Sequence, residues 1–226
     1  MALGPFYVEQ KIRSAAAHGT VILMRHGETE WNREGRVMGR NPVPLSAAGR
    51  VQVEAAAEFA RGLKLNLIVT SPLVRARESA AIVAERLGGI ELIEDERLSE
   101  VEYGRWEGMT FKALLEDEHY LRYKDQPVTM ATPGGETLTQ AQARGLAAVH
   151  DAMHANHGRR VLFVSHGDII RTVICHFMRL ELDHFRRLRV DNATLSALEL
   201  ADTFTEVKFI NLMPDPTRAF VPPFRL

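Results

Sequence analysis

Short apolar runs alternate along the chain with longer segments of mixed polarity. The runs at 20–25, 66–70 and 160–165 are almost entirely apolar, which is typical of strands that are buried on both faces. Three further runs predict strands at 90–94, 193–200 and 204–212. The segments between these strands predict helices at 46–62, 72–87, 110–121, 137–157 and 168–179.

This alternation of strands and helices indicates an α/β fold. We predict a three-layer sandwich in which a mostly parallel central sheet carries helices on both faces. The last two strands flank Ala201 and Asp202, and we expect them to form a hairpin that adds an antiparallel edge. Because no repeat, low-complexity tract or linker divides the chain, we expect one domain over 1–226, with 1–19 as an N-terminal extension.

Composition narrows the class of protein. The formal net charge of −1 argues against a general nucleic-acid binder, which would carry a basic excess. The single cysteine, Cys175, excludes an internal disulfide. Residues 1–20 lack an apolar core of signal-peptide length, and no stretch has the length of a membrane span. We therefore expect a cytoplasmic protein without a membrane or nucleic-acid partner.

Histidine and arginine residues follow the predicted strands. Arg25 and His26 close the first strand, and His166 closes the strand at 160–165. Arg75 lies in the first turn of the helix that Ser71-Pro72 opens. The carboxyl ends of parallel strands share one edge of a sheet and lie roughly 4.8 Å apart, so these side chains can converge on an anion of phosphate size. Taken alone, each residue could equally mark a strand end or an exposed helix face.

Several blocks in order resemble the histidine phosphatase superfamily, the phosphoglycerate mutase-like proteins. They cover roughly residues 20 to 200 and comprise Arg25-His26-Gly27-Glu28-Thr29, Trp31-Asn32, Leu45-Ser46, Ser71-Pro72, Arg75, Leu98-Ser99-Glu100, Tyr103-Gly104 and Ser165-His166-Gly167. The resemblance implies a phosphoglycerate mutase-like fold and phosphoryl transfer through a phosphohistidine.

The resemblance also implies roles for individual residues. His26 would be the nucleophile, and His166 would donate hydrogen bonds to the phosphate oxygens. Glu100 would donate a proton to the leaving group and later activate water, although Glu102 and Glu107 lie nearby. The expected catalytic residues are Arg25, His26, Arg75, Glu100 and His166. The expected substrate-binding residues are Arg25, Thr29, Asn32, Gly39, Arg75, Tyr103 and Gly167.

Residues of about 105–136 are expected to form a lid over the active site. The lid candidates for binding a second phosphate are Lys112, Arg122 and Lys124, which are sparse and scattered, and Asp168 follows Gly167 where the resemblance implies asparagine in the mutase branch. Both features favour a metal-independent phosphomonoester hydrolase that acts on a small phosphorylated metabolite and needs no cofactor. The alternative is a bisphosphoglycerate-dependent phosphoglycerate mutase.

Other hypotheses stay open at this point. His150, His154 and His157 could share a helix face and bind zinc, although such a face is more often solvated. The tail from Phe204 to Leu226 could dock onto a partner in a non-catalytic member of the superfamily. A cysteine-based phosphatase is disfavoured because the sixth residue after Cys175 is Glu181 rather than arginine. A homo-oligomer is neither required nor excluded by the sequence.

Overall fold

A six-stranded sheet forms the centre of the computed structural model, which describes residues 18–201 and 204–214. The strands are β1 (Gly19–Arg25), β2 (Leu67–Thr70), β3 (Leu92–Glu94), β4 (Arg159–Ser165), β5 (Leu195–Leu200) and β6 (Thr205–Leu212). Their spatial order is β3-β2-β4-β1-β5-β6. The pairs from β3 to β1 are parallel, whereas β5 and β6 are antiparallel to their neighbours. The predicted mostly parallel sheet with an antiparallel edge is therefore confirmed.

Helices follow most of the strands, close to the predicted positions. They are α1 (Glu30–Arg33), α2 (Ala47–Ala60), α3 (Val74–Arg86), α4 (Phe111–Leu114), α5 (Glu118–Asp125), α6 (Leu138–Ala155) and α7 (Gly167–Met178). Ser46 caps α2 through a bond from the Gly49 amide, and Thr137 forms a capping box with Gln140 at the start of α6. Both local start signals in the sequence therefore act as expected.

Alternate side chains of β1 enter two separate hydrophobic cores. Val21 and Leu23 join a core that α6 and α7 complete on one face of the sheet. Ile22 and Met24 join a second core against α2 and α3 on the opposite face. The strand is apolar throughout because both of its faces are covered. This arrangement confirms the three-layer α/β architecture.

The register of β1 on β4 determines where the functional edge lies. Arg25 pairs with Ser165, so the two strands end at the same level. His26 and His166, the next residues along each strand, therefore lie side by side. The His26 amide then donates to the Ser165 carbonyl at 3.0 Å. The sheet thereby brings together two residues that are 140 positions apart in the chain (166 − 26).

The predicted helix at 110–121 is wrong as a continuous element. The chain forms α4 and then α5, because the Asp117 side chain accepts a hydrogen bond from the Tyr120 amide and starts a new helix. The predicted helix at 137–157 ends at Ala155, so His157 lies beyond it. The short helix α1 was not predicted, although Thr29 and Asn32 form a capping box at its start.

The segment from Gly104 to Asp125 has a small hydrophobic cluster of its own. Trp106 and Tyr123 are fully buried in it, together with Val37 and Leu114. Within residues 18–201 and 204–214, no helix combines the length and the apolar character needed to cross a bilayer. The N-terminal extension up to residue 17 and the tail beyond 214 lie outside the described residues.

Gly49 allows α2 to lie close to the loop that follows His26, and a larger residue would prevent this contact. A Cβ atom at this position of α2 would overlap the backbone of Glu28, in the loop that follows His26. We expect Gly49→Ala to lower the free energy of unfolding by about 1–3 kcal/mol in urea denaturation. Gly62→Ala is the control, because Gly62 is exposed and a Cβ there meets nothing within 4 Å. Equal stability of the two variants would contradict this prediction.

Candidate active site

His26 and His166 face each other at the carboxyl edge of the sheet. Their ring centroids lie 5.3 Å apart, and both side chains are buried. Arg25 and Arg75 are in the same cluster, since both lower the pKa of each histidine. The structure therefore brings together the two imidazoles and two guanidinium groups that the sequence predicted at strand ends.

Two hydrogen bonds fix the tautomer of His26. Its Nδ1 lies 2.7 Å from the Gly27 carbonyl oxygen, which can only accept, so Nδ1 carries the proton. The Nε of Arg75 lies 3.2 Å from Nε2 and can only donate, so Nε2 presents a lone pair. Ser79 reinforces this geometry, because its hydroxyl accepts from the Gly27 amide and donates to the Arg75 carbonyl.

Both imidazoles are neutral near pH 7. Burial, followed by the charges of Arg75 and Arg25, holds the pKa of His26 well below its usual value. Burial, followed by the charge of Arg75, has the same effect on the pKa of His166. Burial also lowers the pKa of each arginine to about 10, so both remain cationic. The site combines neutral nitrogens with fixed positive charge.

Two buried nitrogens in this cluster have no hydrogen-bond partner among the described residues. They are Nε of Arg25, which carries a hydrogen, and Nδ1 of His166, which carries one when the Ser71 hydroxyl donates to Nε2. Other atoms of the same side chains are held: Nη1 of Arg25 donates to the Val190 carbonyl at 2.8 Å, and Nε2 of His166 lies 2.7 Å from the Ser71 hydroxyl. Buried polar atoms are rarely left unpaired, so this pair is suited to an anion that accepts from both.

Glu100 lies at the wall of the pocket beside these groups. One of its carboxylate oxygens accepts from the Val101 amide at 2.9 Å. Burial, followed by the charge of Asp168, raises the pKa of Glu100 above its usual value. The neighbouring acids are engaged elsewhere: Glu102 pairs with Arg40, and Glu107 accepts from Asn41 and from the Tyr103 amide. Only Glu100 of these three lines the pocket.

The pocket has a volume of about 310 Å³ and walls of mixed character. Aromatic and apolar side chains come from the segment between Gly104 and Asp125, and they include Trp106, Phe111, Leu114 and Tyr120. The lining cations are Arg25, Arg36, Arg171 and Arg186. None of Lys112, Arg122 and Lys124 lines the pocket, and the arginines that do line it come from other elements.

The other sequence-predicted contact residues divide into two groups. Asn32, Gly39, Tyr103 and Gly167 line the pocket. Gly39 adopts φ +50°, and its carbonyl accepts from Nη2 of Arg75 at 2.7 Å. Thr29 is fully buried, does not line the pocket and uses its hydroxyl to cap α1. Direct contact of these residues with a substrate stays a prediction.

Several residues of the site were missed by the sequence argument. Ser71 was assigned only a helix-opening role, yet it orients His166. Asp168 accepts from the Tyr103 hydroxyl and pairs with Arg171 at 2.5 Å. Asn192 donates to Oδ1 of Asn32 at 3.1 Å from the loop before β5. The predicted antiparallel direction of β5 could have indicated this contact, because it places the loop before β5 at the edge of the sheet where the parallel strands end.

The histidines proposed as zinc ligands do not share one helix face. His150 and His154 lie on α6 with ring centroids 6.1 Å apart, whereas His157 lies past the helix end and contacts His18 at 4.9 Å. Over the part of the chain that the structure describes, no group of three or more His, Cys, Asp or Glu side chains could hold a metal ion.

Comparisons with known proteins indicate the family of the chain. A family model for the histidine phosphatase superfamily (branch 1) matches residues 21–213. A protein of Salmonella choleraesuis named "Probable phosphoglycerate mutase GpmB" is 33% identical over 185 residues, which are 81% of this chain and 86% of that protein. Bacillus stearothermophilus YhfR has a TM-score of 0.80 at 30% identity, over 86% of this chain and 97% of that one. A mycobacterial glucosyl-3-phosphoglycerate phosphatase in complex with VO3 has a TM-score of 0.75 at 28% identity, over 86% and 99% of the two chains.

The buried histidines make stability depend on pH. The unfolded chain protonates histidine near pH 6.5, whereas the lowered pKa values keep His26 and His166 neutral in the folded state. The unfolded state therefore binds more protons as pH falls below about 6.5, and stability decreases from pH 7 toward pH 5. We expect urea denaturation of His26→Gln to show a shallower decrease, by up to about 1.4 kcal/mol per pH unit.

His154→Gln is the control for this measurement, because it removes an exposed imidazole by the same chemical change. A His26→Gln variant whose stability falls as steeply with pH as that of the wild type would contradict the prediction.

Proposed function

The chain belongs to the histidine phosphatase superfamily, branch 1, and on that basis we propose that it hydrolyses phosphate monoesters of small metabolites through a phosphohistidine at His26. The observation that carries the proposal is the geometry of the histidine pair. Nε2 of His26 presents a lone pair, while Nε of Arg25 and Nδ1 of His166 are buried and have no hydrogen-bond partner among the described residues. A nucleophile and unsatisfied donors in one cluster match the needs of a phosphoryl dianion.

Binding of a phosphate ester would rearrange the hydrogen bond between Arg75 and His26. Nε of Arg75 donates to the same Nε2 lone pair that would attack phosphorus. A phosphate oxygen can take over this donor, which frees the lone pair and places the Arg75 charge on the phosphoryl group. Arg25 and His166 supply further donors to the remaining oxygens. Positive charge thus comes from guanidinium groups, and the proposed steps require no metal ion.

Phosphoryl transfer then proceeds in two displacements. In the first, Nε2 of His26 forms a bond to phosphorus, the ester P–O bond breaks, and the leaving oxygen takes the proton of Glu100. In the second, the Glu100 carboxylate removes a proton from water, the water oxygen bonds to phosphorus, and the P–N bond breaks. His26 regains its lone pair, Glu100 regains its proton, and inorganic phosphate leaves. The raised pKa of Glu100 suits both roles.

A phosphomutase is the second candidate. Arg36, Arg171 and Arg186 line the pocket beyond the proposed phosphate position, and a second anionic group could bind there. Arg171 is already paired with Asp168, and Arg36 with Glu34. Arg186 forms no ion pair with a carboxylate among the described residues; it donates to the Lys124 carbonyl at 3.3 Å and lies over the rings of Tyr120 and Tyr123. With one unneutralised cation in this region, hydrolysis remains the preferred reaction.

The first test is direct detection of the covalent intermediate and of its fate. We expect acid-labile, alkali-stable label on the protein after mixing with a labelled monoester, and no label on His26→Ala. We also expect phosphate release from a panel of monoesters to exceed isomerisation of 3-phosphoglycerate. Bisphosphate-dependent isomerisation with negligible phosphate release would favour the mutase, and absence of label would overturn covalent catalysis.

Glu100→Gln tests the proton donor, because glutamine keeps the shape but cannot exchange the proton. We expect phosphoenzyme formation from alkyl phosphates to slow by about 10²–10⁴-fold. Formation from an aryl phosphate with an acidic leaving group should change little, since that group departs without a proton. Its hydrolysis step should still slow, so that phosphoenzyme accumulates. The outcome against the assignment is an unchanged turnover of alkyl phosphates, with Glu102→Gln as the matched control.

A further inference from the structure

One guanidinium group, that of Arg144, binds the backbone of the loop that carries Glu100. Arg144 lies on α6, outside the pocket lining, and its side chain is only 18% exposed. Its Nη1 donates to the carbonyls of Arg97 at 2.8 Å and Ser99 at 2.5 Å, and its Nη2 donates to the carbonyl of Glu100 itself at 3.0 Å. Three carbonyls of the loop therefore converge on a single side chain.

Glu136 completes this arrangement from the other side. Its two carboxylate oxygens accept from Nε and Nη2 of Arg144 at 3.0 and 2.6 Å, which is a bidentate pair. One of them also accepts from the Glu102 amide at 3.0 Å. The ion pair thus binds the carbonyls of residues 97, 99 and 100 and the amide of residue 102. The Glu136 side chain is 13% exposed, so water competes little for these bonds.

We propose that Arg144 and Glu136 are positioning residues for the reaction, which hold the Glu100 carboxyl at the distance and orientation needed for proton transfer. This inference rests on the proposed function, because it assigns a purpose to Glu100 that only the proposed chemistry requires. A planar guanidinium reaches several carbonyls in fixed directions, which an ammonium group cannot do. Proton transfer is sensitive to such geometry, since a candidate acid must lie within hydrogen-bond reach of the leaving oxygen.

Release of the loop would also change the electrostatic surroundings of Glu100. The charged and titratable groups that act on it come from each packed element: Arg25, Arg75, Tyr103, Tyr123, Asp168 and Arg171. Burial is the largest influence that raises its pKa, and Asp168 is the next. A loop that moves toward solvent loses both, so the pKa of Glu100 should fall toward its usual value. The acid must be protonated to act, so activity would then be lost at a lower pH.

The experiment compares Arg144→Met and Glu136→Gln with Arg97→Met. Arg97 is the matched control, because its side chain pairs with Asp95 and Asp151 and not with the loop carbonyls. For Arg144→Met we expect kcat on an alkyl phosphate to fall about 10–100-fold, while phosphoenzyme formation from an activated aryl phosphate changes less than about threefold. The basic limb of the kcat/KM profile for the alkyl phosphate should move to lower pH.

Only that basic limb is used, because Arg144 also contributes to the lowered pKa of His166, which affects the acid limb. Glu136→Gln is the milder variant for the case in which Arg144→Met does not fold, and it should show a smaller change of the same kind. Equal losses in the rate of phosphoenzyme formation from alkyl and aryl phosphates, with an unmoved basic limb, would overturn the positioning role. Failure of the wild type to form phosphoenzyme would instead overturn the proposed function, so the two failures are distinguishable.

Discussion

The site depends on the way the ring of His26 is held between a backbone carbonyl and a guanidinium group. Gly27 accepts from Nδ1, and Arg75 donates to Nε2. This pairing is compatible only with a neutral ring, and burial beside positive charge keeps the ring neutral. Arg75 is itself fixed by the carbonyls of Gly39 and Asn41, so the nucleophile, the cation and the pocket wall form one connected unit. The Arg75 guanidinium therefore keeps the Nε2 lone pair of His26 unprotonated. It also lies where, in the proposed reaction, it can donate to a phosphoryl oxygen.

Much of the sheet and the centre of the site followed from local sequence patterns. Continuous apolar runs identified the buried strands, and Ser46 and Thr137 identified the starts of two helices, because strand burial and helix capping are short-range effects. His26 and His166 were predicted together because they both end strands, and strand ends share an edge in a parallel sheet. Their assignment as nucleophile and donor came from family resemblance, and the hydrogen bonds of His26 now give it a physical reason.

What could not be predicted depends on packing between distant segments. Arg171 reaches the pocket from α7, one turn after Asp168, and Arg186 reaches it from the 3₁₀ helix Leu182–Arg187 that follows α7. Arg144 contacts the Glu100 loop from the middle of a helix where its spacing gave no signal. The break between α4 and α5 depends on a single competing side chain, Asp117, within an otherwise helical pattern. Such outcomes depend on three-dimensional contacts that a linear pattern does not contain.

The hydrophobic cluster around Trp106 and Tyr123 is separate from the two cores of the sheet. The groups proposed for chemistry stand on the sheet edge, whereas most of the aromatic pocket wall stands on this smaller cluster. Mutations in the cluster can therefore reshape the pocket while the sheet keeps its packing. A lineage that carries this architecture can change the shape of its pocket by exchanging one short segment, and a protein engineer could graft that segment between relatives for the same purpose.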